Sequence, residues 1–370
     1  MKMRFVILIT LIFLVVHSSL FSQKVITANS IGNFNDGVAP FLLDNKWGFF
    51  DNAGNIVIQP KLKVFVNNYG DSPRFSEGLT AIVDFETGRV GYIDKKGEMK
   101  IPAVYYSATS FNEGVAFVGR QNDYVMIDTT GKIIGQNFVA INGYYSRFSN
   151  NRACVQKGFV YGYINKTGKF VIEAKFDEAD DFSEGLASVK MDGKWGFIDT
   201  LGNVKIDFKF SNKPNSFMNG RAFIQGTNNK WGIIDTVGNL IIEPIYHQVF
   251  NYSGGYAIVS LMDEKWNLTY QIIDVNGKPV KVFGKAANSI ETITILSGFS
   301  EGYAIAMKGC KKGFIDNKGK PVVGFMYREL HPMSCGMAYF EKFDEKTKKV
   351  SRGFINSTGK EVILIEEPKF

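Results

Sequence analysis

Nine times along this 370-residue chain the same pair of turn signals recurs. A short unit repeated end to end dictates architecture before any single side chain is weighed. The clearest copy reads F-S-E-G-L-A at 182–187, then K-W-G-F-I-D-T-L-G at 194–202. The first signal is an aromatic residue, Gly three positions on and Ala five positions on. The aromatic slot holds Phe34, Phe75, Phe111, Phe148, Phe182, Phe217, Tyr252 and Phe299, with Met333 in the last copy. The Gly slot is occupied by Asn only at Asn151. Asn is among the few non-glycine residues that tolerate a left-handed backbone, so this slot is expected at positive φ. The Ala slot varies only at Thr80, which suggests a crowded face.

The second signal is Asp or Asn, two free positions, then Gly. Its pairs are Asp51/Gly54, Asp94/Gly97, Asp128/Gly131, Asn165/Gly168, Asp199/Gly202, Asp235/Gly238, Asp274/Gly277, Asp316/Gly319 and Asn356/Gly359. A side-chain oxygen at the first position accepts backbone N–H bonds, and Gly supplies the left-handed residue that closes a bulged hairpin. Asn165 and Asn356 stand where the other copies have Asp, so a carboxylate is not required. These residues read as structural turn residues, not as acids or metal ligands.

Between the signals lie runs rich in Val, Ile, Phe, Tyr and Trp, as strands prefer. Leu186–Met191, Trp195–Ile198 and Val204–Phe208 are expected to form a three-stranded antiparallel meander. A Gly follows the Trp slot in most copies, and a strand glycine marks a close approach. The neighbouring repeat is the expected occupant of that space.

Residues 1–22 read as a secretory signal peptide. Lys2 and Arg4 precede an apolar run from Phe5 to Val16, which is too short to span a bilayer. Small Ser22 suits the residue before the cut, so the mature chain is expected to begin at Gln23 and to be exported to the periplasm, the cell surface or the medium. No linker interrupts the repeats, so residues 23–370 are expected to form a single domain. The formal charge of +7 comes from scattered basic residues, and nucleic acid is not an expected partner of an exported chain. Three cysteines leave at least one unpaired. Cys154 reads as a small buried residue, whereas Cys310 and Cys335 lie near turns of the last two repeats and could form a disulfide.

The segments Trp47-Gly48-Phe49-Phe50-Asp51, Trp195-Gly196-Phe197-Ile198-Asp199 and Trp231-Gly232-Ile233-Ile234-Asp235 resemble the WG-repeat family of bacterial proteins. The Ile/Val-rich segments closing on Pro60, Pro102 and Pro244 are similar to that family too. The resemblance covers residues 30–370. It implies a secreted β-repeat protein with a binding role and carries over no catalytic residue. Departures fall in the Trp slot, at Val90, Tyr124, Tyr161, Tyr270, Lys312 and Arg352, and in the following Gly slot, at Val125 and Gln271. The seventh repeat is the longest, with extra stretches at Met262–Tyr270 and Ala286–Ser297. A smaller insertion lies around Asn67–Arg74, and the degenerate last copy resembles a cap.

Little reactive chemistry is visible. Beyond the signal segment only His247 and His331 remain, too few for a histidine metal site or a catalytic triad. Glu77, Glu113, Glu184 and Glu301 recur at one turn and read as solvated or backbone-capping groups. Asp180 and Asp181 are adjacent and cannot both face one substrate from a strand. No calcium loop, phosphate loop or dinucleotide motif is present, so no metal and no cofactor are expected. Recurring Trp47, Trp195 and Trp231 read as core. Trp266 and Tyr270, in the irregular repeat-seven insertion, are the candidate binding residues. Thr129, Thr200 and Thr236 follow Asp in exposed turns and resemble the short sequence at which some exported bacterial proteins receive O-glycans.

The expected fold is all-β. Neighbouring repeats must stack, either as an open, twisted, solenoid-like array or as a closed β-propeller. The open array is preferred because spacing varies from 34 residues (Phe148 to Phe182) to 47 (Tyr252 to Phe299). The expected function is non-catalytic binding or scaffolding, with protein or cell-envelope glycan as partner. The alternatives are an envelope enzyme using Asp263 or Glu264 in the repeat-seven insertion, and a carbohydrate-binding module.

Overall fold

The computed structural model describes residues 23–62, 72–121, 123–138, 147–284 and 292–368. The expected signal segment lies outside these residues, as do parts of the insertions at Asn67–Arg74 and Ala286–Ser297. The described residues form nine sheets of three to five strands, one per repeat, and no helix. In the fifth repeat a short first strand, Glu178–Ala179, precedes Leu186–Met191, Lys194–Asp199 and Val204–Phe210. All pairings within it are antiparallel.

The first turn signal is a two-residue hairpin. Ser183 and Leu186 exchange both backbone hydrogen bonds, and between them Glu184 and Gly185 have φ of 52° and 81°. Two successive left-handed residues define a type I′ turn, whose twist matches the flanking strands. The residue before the Gly slot is therefore left-handed in every copy, Asp36 and Cys335 included. In the second signal, Asp199 Oδ1 accepts hydrogen bonds from the N–H groups of Leu201 and Asn203, each at 2.9 Å, and Gly202 has φ of 88°. Asn356 does the same for Thr358 and Lys360.

The glycine after the Trp slot has a different cause from the one expected. Trp195 pairs with Phe210 but Phe197 pairs with Ile206, so the fourth strand bulges. The bulge pushes the Ile206 carbonyl onto Gly196, where a Cβ would lie 2.7 Å from that oxygen. The intruding group belongs to the same sheet, not to the neighbouring repeat. The two exceptions fit this geometry. Gln271 pairs with Val282 and Ile272 with Lys281 in unbroken register, so nothing crowds Gln271. Val125 faces a shorter bulge, between the Tyr124–Phe138 and Met126–Gly135 pairs.

The neighbouring repeat reaches a different glycine, the last residue of the second turn signal. Its reading as a turn residue alone is therefore incomplete, because each of these glycines is also pressed against the blade before it. A Cβ would lie 3.3 Å from Ile58 at Gly97, 3.2 Å from Ile101 at Gly131 and 3.2 Å from Ile172 at Gly202. It would lie 3.0 Å from Ile206 at Gly238, 2.5 Å from Ile242 at Gly277, 2.5 Å from Lys281 at Gly319 and 3.0 Å from Val323 at Gly359. Gly168 sets its backbone against Gly135 of the third repeat, itself a residue without a side chain. At Gly54, in the first repeat, a Cβ would lie 2.6 Å from Lys24, in the segment paired with the last strand, and 3.2 Å from Ile363 of that strand. With φ between 75° and 88° throughout, the nine positions meet two demands at once, a left-handed turn and a missing side chain.

No sheet has its own core. Apolar residues gather in nine clusters, each shared by two consecutive sheets. The aromatic slot of one repeat packs against the third strand of the repeat before it. Phe75 meets Phe49 at 4.8 Å, Phe182 meets Tyr163 at 4.7 Å and Phe217 meets Phe197 at 4.8 Å between ring centroids. The series does not end at the ninth repeat, because Phe34 of the first meets Phe354 of the ninth at 4.9 Å. A second recurring bond closes in the same way. Ser183 Oγ donates to Phe217 O and Ser300 Oγ to Met333 O, and Ser334 Oγ donates to Phe34 O at 2.8 Å. Lys24–Thr27 then pairs in parallel with the last strand, Glu361–Glu366.

The chain is thus a closed nine-bladed β-propeller, and the expected open, solenoid-like array is corrected. An open array would leave one apolar blade face and one strand edge exposed at each end. Closure instead buries Phe34, Phe50, Phe354 and Ile363 in one cluster. The last repeat is not a cap, since Met333 is buried in the junction with the eighth blade.

Candidate binding face

Alternation of strand direction sorts the connections onto two faces. The turns between first and second strands, and between third and fourth, share one face. The hairpins between second and third strands, and the links from one blade to the next, share the other.

The first face is uniform and bonded to itself. Asp36 Oδ2 accepts from Gly78 N at 2.7 Å, and Glu77 Oε2 accepts from Gly114 N at 2.9 Å. Glu184 accepts from the N–H groups of Asn219 and Gly220, and Glu301 from those of Cys335 and Gly336. With Glu113, which accepts from Asn151 N, these carboxylates stitch five blades to the next, and the Asn150 and Asn219 amide oxygens do the same for two more. The Asp199 carboxyl belongs to this face. Desolvation raises its pKa, but hydrogen bonds from Asn203, Leu201 and Lys205 outweigh that and hold it at about 2. Thr129 and Thr236 are exposed here and Thr200 is half-buried.

The second face carries the irregularity. Its hairpins range from two residues, between Lys157 and Val160, to five, between Met262 and Leu268. The strands that precede 63–71, 139–146 and 285–291 end on this face, at Leu62, Phe138 and Val282. Three hairpin tips present exposed aromatic residues: Phe85 at 59%, Phe159 at 95% and Trp266 at 80% exposure. Trp266 is left-handed, with φ of 62°. Asp263 folds the loop beneath it, since its carboxylate accepts from Lys265 N, Asn267 N and the Asn267 side-chain amide. Asp263 is therefore a turn residue, while Glu264 is exposed.

The two binding candidates do not come together. Trp266 stands on the loop face, whereas Tyr270 is 6% exposed in the core cluster with Ile258 and Phe283. Its hydroxyl lies 3.5 Å from Gln248 Oε1. Among the recurring tryptophans, Trp195 is buried and Trp47 and Trp231 are half-buried. Sequence reasoning missed Phe85 and Phe159. The available signal was an aromatic residue at a tip where the fifth repeat has Asp192-Gly193.

Cys310 and Cys335 are both free thiols, and the possible disulfide between them is not formed. Cys310 sits in a second-to-third-strand hairpin and Cys335 in a first-to-second-strand turn, on opposite faces of the ring. Burial pushes the Cys154 thiol up to about 12, helped by the charges of Asp181 and Asp180. Among the described residues no group of three or more His, Cys, Asp and Glu is placed to hold a metal ion. No described helix is long and apolar enough to cross a membrane.

A family model described as "WG containing repeat" matches residues 29–47, 47–83, 91–123, 161–195, 195–231, 231–266 and 313–346. The unmatched stretches include Val125 and Gln271, where the glycine after the Trp slot is absent. No curated protein matches the chain. Among solved structures, Citrobacter koseri AztD is 12% identical, with 76% of this chain and 91% of that one covered at a TM-score of 0.41. BamB from Moraxella catarrhalis is 9% identical, with 73% and 93% covered at 0.38. Kluyveromyces lactis Hsv2p is 9% identical, with 88% and 97% covered at 0.38. Similarity this distant says nothing of ligand or activity, and the closed ring rests on the contacts described above.

Proposed function

The chain belongs to the family of WG containing repeats, and from that premise we propose that it is a non-catalytic binding or scaffold propeller whose loop face engages a protein partner. The observation that carries this reading is the contrast between the faces. One consists of short turns whose polar groups bond to one another. The other carries the longer hairpins and presents Phe85, Phe159 and Trp266 to solvent. Aromatic residues on variable loops over a rigid scaffold supply contact area at low entropic cost. The enzyme alternative has less support, because the Asp263 carboxylate is consumed by its own turn.

The test is affinity capture with residues 23–370 from an envelope extract, comparing a loop-face variant (F85A, F159A, W266A) with an opposite-face variant (L201A, V237A). The reading expects a protein retained by wild type and L201A/V237A but lost from the triple variant. Equal retention by all three, or retention only on insoluble glycan, refutes it. We further propose that the protein acts outside the cytoplasm, on the strength of the signal-like segment 1–22. N-terminal sequencing of cell-derived protein is expected to begin at Gln23, and a Met1 start contradicts export by this route.

A further inference from the structure

We propose that the seam between the ninth and first blades holds a binding site for a small, single-ring aromatic acid. At four other junctions the residue six positions before the aromatic slot is a buried ring: Tyr105, Phe176, Tyr246 and Tyr327. Each of these pairs with the Trp slot of its blade, at Val90, Tyr161, Trp231 and Lys312. At the seam the residue six before Phe34 is Ala28, and the Trp slot holds Arg352. The last strand cannot return a ring to this place, because it runs past Gly353 in straight register with Leu364.

A pocket of 220 Å³ occupies the vacated position, lined in part by Ala28, Ile31, Asn33, His331, Tyr339 and Arg352. Ala28, Ile31 and Tyr339 form apolar walls, and the His331 and Tyr339 rings stand 4.9 Å apart. His331 Nδ1 lies 3.3 Å from Asn33 Oδ1, which fixes the imidazole across the seam. Desolvation lowers the His331 pKa, leaving Arg352 as the fixed positive charge of the lining. The guanidinium contacts Glu367, a surface carboxylate that a ligand carboxylate can displace.

The chemistry follows from both halves of the site. The chain itself places Tyr or Phe in the equivalent space at four other junctions, so a flat ring fits there. An Arg at the polar end favours a planar, bidentate anion. A neutral sugar would find amides but leave that charge unused. Because the ligand would touch both ends of the ring, binding should also raise the melting temperature.

The experiment is calorimetric titration and thermal unfolding of residues 23–370, with 4-hydroxyphenylacetate as probe and p-cresol and glucose as comparators. Saturable one-to-one binding is expected with a dissociation constant tighter than about 1 mM, together with a rise in Tm. Arg352→Gln should weaken the acid about tenfold and p-cresol far less. Ala28→Phe, which restores the ring used at other junctions, should abolish binding while keeping the fold. Should Ala28→Phe fail to fold, Arg352→Gln carries the test. The proposal is overturned by no saturable binding, by undiminished binding in Ala28→Phe or Arg352→Gln, or by binding of glucose in place of the acid.

Discussion

Replacing Gly196 and Gly185, eleven residues apart in the fifth blade, should have unequal consequences, because the two glycines answer different physical needs. A Cβ on Gly196 would lie 2.7 Å from the Ile206 carbonyl oxygen and 3.1 Å from the Asp207 carbonyl carbon. Both neighbours are backbone, so relief requires the bulged strand to move. Overpacking of this kind costs about 1–3 kcal/mol, against a gain of about 0.5 kcal/mol from a stiffer unfolded chain. Gly196→Ala should therefore lose about 1.5 kcal/mol. Gly185 has φ of 81° but nothing within 4 Å of its notional Cβ. Only the left-handed conformation matters there, and the fourth blade already places Asn151 in that slot with φ of 60°. Gly185→Asn should cost under about 1 kcal/mol. The assay is equilibrium urea unfolding followed by far-ultraviolet circular dichroism. An effect at Gly196 equal to or smaller than that at Gly185 would refute the bulged-carbonyl explanation of the Trp-Gly motif.

Further outcomes follow from the same contacts. Ile26 is buried in the closing strand, so Ile26→Asp should cost about 3 kcal/mol or more, read as a fall in Tm; an unchanged Tm would mean that residues 24–27 are not docked on the last strand. The depressed Asp199 pKa contributes stability that is present above the unfolded value near pH 4 and is lost as pH falls toward about 2. Asp199→Asn, the residue found at Asn165 and Asn356, should flatten the acid-unfolding curve in that window, and an identical curve contradicts the assignment. Under native, non-reducing conditions exposed Cys310 should alkylate first and Cys154 only on unfolding, by intact mass; a disulfide between Cys310 and Cys335 would contradict the placement of those residues on opposite faces.

The local structure was legible because it is periodic. Asn in place of Asp at 165 and 356, and in place of Gly at 151, revealed turn geometry without any knowledge of the fold. Closure was not legible, because its contacts join residues about 300 apart and look like any other junction. Phe34 and Ser334 carry the same signals as their counterparts, and periodicity cannot say whether the last copy meets the first. Met333 looked degenerate only because its burial against the eighth blade cannot be read from the letter. The closing strand at 24–27 precedes the first turn signal and matches no repeat. Strand register and blade packing decided three further points. Register assigned the crowding at Gly196 to a carbonyl in its own sheet, and it separated Trp266, at a hairpin tip, from Tyr270, in the regular Trp slot. Packing moved the contact between repeats to the turn glycines, where a positive φ alone already accounted for the letter and so concealed the second reason. The seam pocket depends on a small residue, Ala28, which acquires meaning only beside Tyr105, Phe176, Tyr246 and Tyr327.

The ring itself is tested most directly by small-angle scattering on residues 23–370. A closed propeller of this size should show a radius of gyration of about 20 Å, the value for a compact domain. Nine blades stacked in an open row at about 10 Å spacing would extend some ~90 Å, with a radius of gyration of about 26 Å or more. A value near 20 Å, with a distance distribution that falls to zero well short of that length, is the predicted result. An elongated particle would contradict the docking of the ninth blade on the first.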